Sequence, residues 1–257
     1  MPTLGRGKLY FDKFAPGTKT RTGERYIGNT PEFNLNSESE TLDHFNSDEG
    51  VRVKDDSVLL QLDRGGSFIT DVISVENMAL FLLGNNSVLA QASATAQQYN
   101  IADVEPGMYY QIGQDASNPT GFRSLSNVTV QNDASTPVVY TINTDYTIDL
   151  VRGRLYIVPG GAIASGTNLE VMHDRAAVSR SRVVTAASAT VEGALRFVAA
   201  NPKGDNIDFY MPYVQLAPNG DFALKGDEWQ QLPFNVEILK LNDSTESIYA
   251  DGQPYTP

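Results

Sequence analysis

The sequence predicts an all-β protein with one short α-helix. Apolar and polar residues alternate with a period of two in several segments, as half-buried strands require. Further short stretches rich in β-branched and aromatic residues are punctuated by glycine and proline. Only one segment, 74–83, repeats its apolar residues at helical spacing. With 257 residues, 41% of them hydrophobic, the chain can bury a sizeable core as one large β domain or as a domain carrying an insertion.

The first alternation sets Phe33, Leu35, Ser37 and Ser39 against Glu32, Asn34, Asn36, Glu38 and Glu40, which predicts a strand with one wet, acidic face. After the polar stretch 43–50, Val58, Leu60 and Leu62 alternate with Ser57, Leu59, Gln61 and Asp63. Arg64-Gly65-Gly66 then leads into 68–73, so two more strands in a meander are expected. In the helical segment Ser74 offers an N-cap, Val75, Met78, Ala79, Leu82 and Leu83 share a face, and Gly84 supplies a stop tolerant of positive φ. Leu80 and Phe81 make the other side apolar too, which predicts burial against a sheet; without a Lys or Arg in the segment, a membrane-surface role finds little support.

Segments 127–131, 138–142, 146–150, 155–158 and 168–172 read as hairpin-sized strands, with 186–190 peripheral. Strands return at 193–199 and 207–216, where Ile207, Phe209, Met211 and Tyr213 alternate with polar or proline neighbours. Pro218-Asn219-Gly220 reads as a turn into a long strand over 229–241, and the polar tail 242–257 as loosely held.

The chain carries a net charge of −12, with a charge of +4 over 1–30, −13 over 31–150 and −3 over 151–257. A basic arm precedes an acidic body, which suits contact between copies of one chain, although a solvated N-terminus would read the same way. The acidic balance argues against a protein that grips nucleic acid by neutralising phosphates. There is no cysteine, which removes disulfides and thiolate chemistry and suggests assembly in the cytoplasm. The polar N-terminal sequence and the longest apolar run, 78–83, argue against a signal peptide and a spanning helix, so the N-x-S/T matches at Asn85, Asn127 and Asn242 carry no weight.

No motif for a phosphate loop, metalloprotease, EF-hand or serine hydrolase is present, and no cofactor is expected. His44 and His173 lie in separate polar segments, as surface or interface side chains would. Asp48-Glu49 and Asp55-Asp56 raise the possibility of paired carboxylates for glycoside hydrolysis, but linear neighbours in a polar loop predict no fixed separation in a cleft. Trp229 reads as core beside Leu232 and Phe234, with a sugar platform as the alternative.

Four motifs, in order, carry a resemblance: G-N-T-P-E-F-N-L (28–35), E-T-L-D-H (40–44), S-V-E-N-M-A-L-F-L-L-G (74–84) and Y-M-P-Y-V-Q-L-A-P-N-G-D-F-A-L-K-G-D-E-W-Q-Q-L-P-F-N-V-E-I-L (210–239). Together they resemble the major tail tube proteins of long-tailed bacteriophages, over roughly 24–84 and 192–241. The middle matches only loosely, through Y-T-I-D-x-x-x-G-R-L-Y-I (146–157).

The resemblance implies a β-sandwich or barrel subunit with a flanking helix and an inserted β-rich module, assembling as hexameric rings stacked into a tube; similar subunits build the type VI secretion tube. It divides the chain into a basic arm (1–30), a tube core (31–94, with the helix at 74–83), an outward-pointing inserted module (95–180), the completed core (181–241) and a tail (242–257). It implies as partners further copies of the chain, a tape measure protein, and tail terminator and distal tail proteins. DNA would pass through the lumen without specific binding, in a virion tail assembled in the bacterial cytoplasm. An acidic wall would repel duplex phosphates, which makes Glu32, Asn34, Asn36, Glu38, Glu40, Gln61, Asp63 and Asp208 the expected lumen residues. Lys8, Lys13, Lys19 and Arg21 would meet Asp48, Glu49, Asp55 and Asp56 of the next ring. A secretion-system tube, a virion decoration protein and a carbohydrate-active β enzyme are the competing readings.

Overall fold

A computed structural model describes residues 2–48, 50–185 and 190–253. In chain order the elements are β1 (Gly7–Lys13), β2 (Arg25–Tyr26), β3 (Glu32–Asn46), β4 (Val53–Thr70), α1 (Val75–Phe81), β5 (Gly84–Gln91), β6 (Ala94–Val104), β7 (Tyr109–Gln111) and β8 (Leu125–Asn132). They continue with β9 (Tyr146–Asp149), β10 (Arg154–Ile157), β11 (Thr167–Arg175), β12 (Val178–Thr185), β13 (Val191–Ala199), β14 (Ile207–Pro218), β15 (Leu232–Ile238) and β16 (Tyr249–Gly252). The protein is thus all-β with one short helix, and its named strand pairings are antiparallel. The chain forms two compact units, Met1–Ser87 with Arg182–Pro257 and Val88–Ser181, against boundaries of 95 and 180 expected for the middle module.

In the first unit an eight-stranded sheet runs in the order β2-β1-β13-β14-β15-β4-β3, with β16 added to β14. One face buries Leu9, Phe11, Leu195, Met211, Leu216 and Val236 among others, and α1 lies on that face, where Leu80 is buried and Phe81 meets Phe234 edge-on at 5.9 Å. Phe33 of the last strand in the order sits 5.8 Å from Phe197 of β13. The sheet therefore curls around its apolar face. Ser74 caps α1 by accepting a hydrogen bond from the Asn77 N–H at 3.1 Å.

The basic arm is not an arm. β1 pairs along its whole length with β13, Leu9 and Phe11 lie in the core, and Asp12, fully buried, accepts bonds from Arg21 Nε and the N–H groups of Thr22 and Gly23, each at 2.8 Å. The same alternation that marks β3 is present in K-L-Y-F-D, and the surrounding cations mask it. Arg64-Gly65-Gly66 makes no turn either. β4 runs through it, because a side chain on Gly66 would collide with the Asn34 carbonyl across the strand pair. The helix stops at Leu82, and it is Leu83, not Gly84, that takes a positive φ of 50° while Gly84 opens β5.

The last hairpin is shorter than its pattern. β15 spans only Leu232–Ile238, so 219–231 is a long loop in which Trp229 is 91% exposed instead of buried. Its neighbours Leu232 and Phe234 do enter the core. Of the expected tail, 242–253 is described and contributes β16, paired with β14; the remainder of the tail and 186–189 of the stretch expected to be peripheral lie outside the described residues.

In the second unit the three-stranded sheets β7-β10-β9 and β6-β11-β8 close on one core of Val104, Val130, Leu155, Ile157, Leu169 and Val171. Segment 138–142 makes only isolated bridges. His173 is buried, not at the surface, because it continues the inward row Leu169, Val171 of β11; burial pushes its pKa down. β5 and β12 pair as a two-stranded ribbon.

Candidate functional site: an acidic sheet face

Register decides which side chains share a face. Glu38 lies opposite Asp63, Glu40 opposite Gln61, Asn36 opposite Gly65 and Asn34 opposite Ser67. With period two, Glu32, Asn34, Asn36, Glu38 and Glu40 of β3 therefore stand beside Gln61 and Asp63 of β4, on the face turned away from the core, and all seven are exposed. A register irregularity after Glu40 ends the row, so these residues occupy the longest unbroken stretch of the pairing.

The row continues across the sheet. Asn36, Gly65, Glu237, Gln215 and Glu192 are successive partners on β3, β4, β15, β14 and β13. The next row, Leu35, Gly66, Val236, Leu216 and Val191, belongs to the core side. Glu192 accepts bonds from the Tyr213 hydroxyl at 2.8 Å and Gln215 Nε2 at 3.1 Å, while Gln61 Nε2 donates to Asp63 at 2.6 Å. This face holds six carboxylates, Glu32, Glu38, Glu40, Asp63, Glu192 and Glu237; no Lys or Arg is among the described residues of these rows, but at the β13–β14 end Lys19 lies 4.2 Å over the ring of Tyr213, whose hydroxyl donates to Glu192. Arg64, the nearest basic residue in sequence, pairs with Ser37 and Ile238 on the opposite face.

Glu38 directly opposite Asp63 is an arrangement that costs stability, since like charges across an antiparallel pair repel. Asp208 does not join the row. It sits at the far end of β14, where its carboxylate accepts the Ala199 N–H at 2.8 Å and Gln253 Nε2 at 2.9 Å. Glu237, Gln215, Asn235 and Glu192 were missed from sequence, although Pro233, Asn235 and Glu237 alternate with the core residues Phe234, Val236 and Ile238 and carried the signal.

The residues expected at ring contacts divide. Arg21 is bound within its own chain, to Asp12 and to Glu24 at 2.8 Å each, and its bond to Asp12 raises its pKa. Lys19 sits 4.2 Å over the Tyr213 ring and Lys8 5.8 Å over that of Tyr26; Lys13 is exposed at the end of β1. The partners proposed for the hairpin acids are thus largely occupied. On the hairpin, Asp55 bonds His44 at 2.6 Å, Asp56 accepts the Ser57 N–H at 2.8 Å, and Asp48 is exposed near the turn; Glu49 lies outside the described residues. Asp55 and Asp56 are consecutive in β4, so their carboxylates point to opposite faces and make no pair of the glycosidase kind.

A family model described as protein of unknown function UCP028589 matches residues 2–250, and the chain belongs to that family. No curated protein matches it.

Proposed function

We propose that this chain is a structural subunit of a bacteriophage tail tube, stacking as hexameric rings around an acidic lumen through which DNA passes during ejection. The observation that carries the reading is the group of six carboxylates that share one sheet face, three on β3 and one each on β4, β15 and β13. Duplex DNA carries one charge per ~1.7 Å, so a basic wall would bind it by counterion release, whereas this one would keep it moving.

The β3–β4 hairpin supports self-assembly. β15 covers β4 only from Arg64 to Thr70, so beyond that the two strands pair with each other alone. Leu42, Val53, Val58, Leu59 and Leu60 are each more than half exposed there. An isolated hairpin is marginal in water, and the outer edge of β3 offers unpaired backbone groups, so a neighbouring copy is the partner this segment suits. In this reading the other contacts are the tape measure protein during assembly and the terminator and distal tail proteins at the tube ends. Negative-stain microscopy of the purified chain, alone at high concentration and with tail proteins, tests it. Rings or tubes of uniform diameter are expected; a monomer under every condition would reject the proposal.

A further inference from the structure

The second unit gathers its cations in a way its own fold does not require. Its basic residues are Arg123, Arg152, Arg154, Arg175 and Arg180, with no lysine among them. Only Arg152 has a carboxylate partner among the described residues, Asp149 at 2.8 Å. Arg123 spends its guanidinium on the carbonyls of Phe122 and Arg152, Arg180 donates to Thr120 and Gly121, and Arg154 stacks 4.7 Å over Tyr109. Burial first, and then repulsion from Arg180 and Arg152 against attraction from Asp149, lowers the pKa of Arg123.

The outward face of β7-β10-β9 adjoins them. Leu155 and Ile157 point into the core, leaving Arg154 and Tyr156 outward beside their partners Gln111 and Tyr109 of β7 and Asp149 and Thr147 of β9. Tyr109 is 60% exposed, 4.6 Å from the Tyr156 ring, and Met108 and Val151 are exposed at the ends of this face. Tyrosine, methionine and arginine without lysine is the composition of a protein interface core, and Arg154, exposed and stacked on Tyr109 with Asp149 already held by Arg152, selects an acidic occupant.

The same chain carries one. Residues 41–60 hold five carboxylates against Arg52 and Lys54, with Val51 76% and Leu42 63% exposed. We propose that this arginine–tyrosine face of the second unit seats the acidic, apolar β3–β4 hairpin of a neighbouring copy. The inference rests on the self-assembly reading above and moves the hairpin's partner from the N-terminal cations, which the chain itself uses, to the second unit. The two surfaces are different patches of one chain, so the contact is heterologous and propagates into rings or filaments instead of closing as a dimer.

Variants of the full chain test it. R154E should raise the concentration needed for assembly about tenfold or more, and adding D56K to the same chain should restore much of the loss. Because the native chain has no cysteine, V51C/V151C treated with a bismaleimide during assembly should give a ladder of covalent oligomers, and each single-cysteine chain should not. A ladder in the otherwise wild-type background supports the proposal even where the charge variant folds poorly. Wild-type tubes with no ladder and an unaffected charge variant would overturn the docking and leave the tube reading intact. A wild-type chain that never assembles would overturn both.

Discussion

Replacing Asp12 with alanine should destabilise the first unit by about 2 to 4 kcal/mol. The carboxylate is fully buried and accepts three bonds of 2.8 Å, two from backbone N–H groups and one from Arg21, whose side chain is half exposed. Removing it strands the Thr22 and Gly23 donors at about 1 to 3 kcal/mol for each buried unsatisfied group, less where water reaches them, and the half-exposed ion pair adds about 1 kcal/mol or less. With a urea dependence of about 2 kcal/mol per M, the midpoint should fall by about 1 to 2 M at pH 7, followed by circular dichroism. Burial alone would raise the Asp12 pKa, but the bonds from Arg21, Thr22 and Gly23 outweigh it and hold the group below 3.8. A carboxyl lowered in the folded state stabilises it fully above the unfolded pKa and ceases to do so as pH falls through the folded value. The gap between wild type and variant should therefore be widest at neutral pH and shrink below about pH 4. A midpoint within about 0.3 M of wild type at pH 7, or a gap that persists undiminished at pH 2.5, would refute the reasoning. Deleting 2–25 should then unfold the first unit, where a dispensable stacking arm would leave it folded.

Three other outcomes are expected. Asn77, buried, donates to the Ile27 and Val72 carbonyls at 2.7 and 2.8 Å and accepts from Arg25 at 2.8 Å, so Asn77→Leu should cost about 2 to 4 kcal/mol, read by thermal unfolding. Replacing Glu32, Glu38 and Glu40 together with lysine should shift stability by about 0.5 kcal/mol or less yet give assembled tubes that bind duplex DNA in a salt-sensitive way; tubes that remain inert in gel shift would remove these residues from the wall. Trp229, the single tryptophan and 91% exposed, should be quenched freely by acrylamide in the unassembled chain. Strong protection there would contradict the loop position found for it.

Where one side of a strand was dry and the other wet, the pattern was legible in the sequence. The Glu32–Glu40 alternation placed five side chains on one face, and Ser74 with its apolar repeat placed the helix, because both signals are local and periodic. The pattern misled where polarity had a partner far away in the chain. β1 carries Asp12, whose carboxylate is satisfied only when residues 21–23 fold back over it. His173 reads as polar surface yet occupies a core row set by β11.

The sequence by itself determined the β class, the single helix, the acidic excess and the face on which the β3 carboxylates lie, since period, composition and charge are properties of short segments and sums. Tertiary structure alone decided that the row extends through β4, β15 and β14 to Glu192, that Asp208 is excluded from it, and that Trp229 is outside and Asp12 inside. Strand order and register bring together residues as far apart as Asn36 and Glu192, and a one-residue slip would invert every face. No local pattern encodes that choice, because it is fixed by which apolar faces meet in the core.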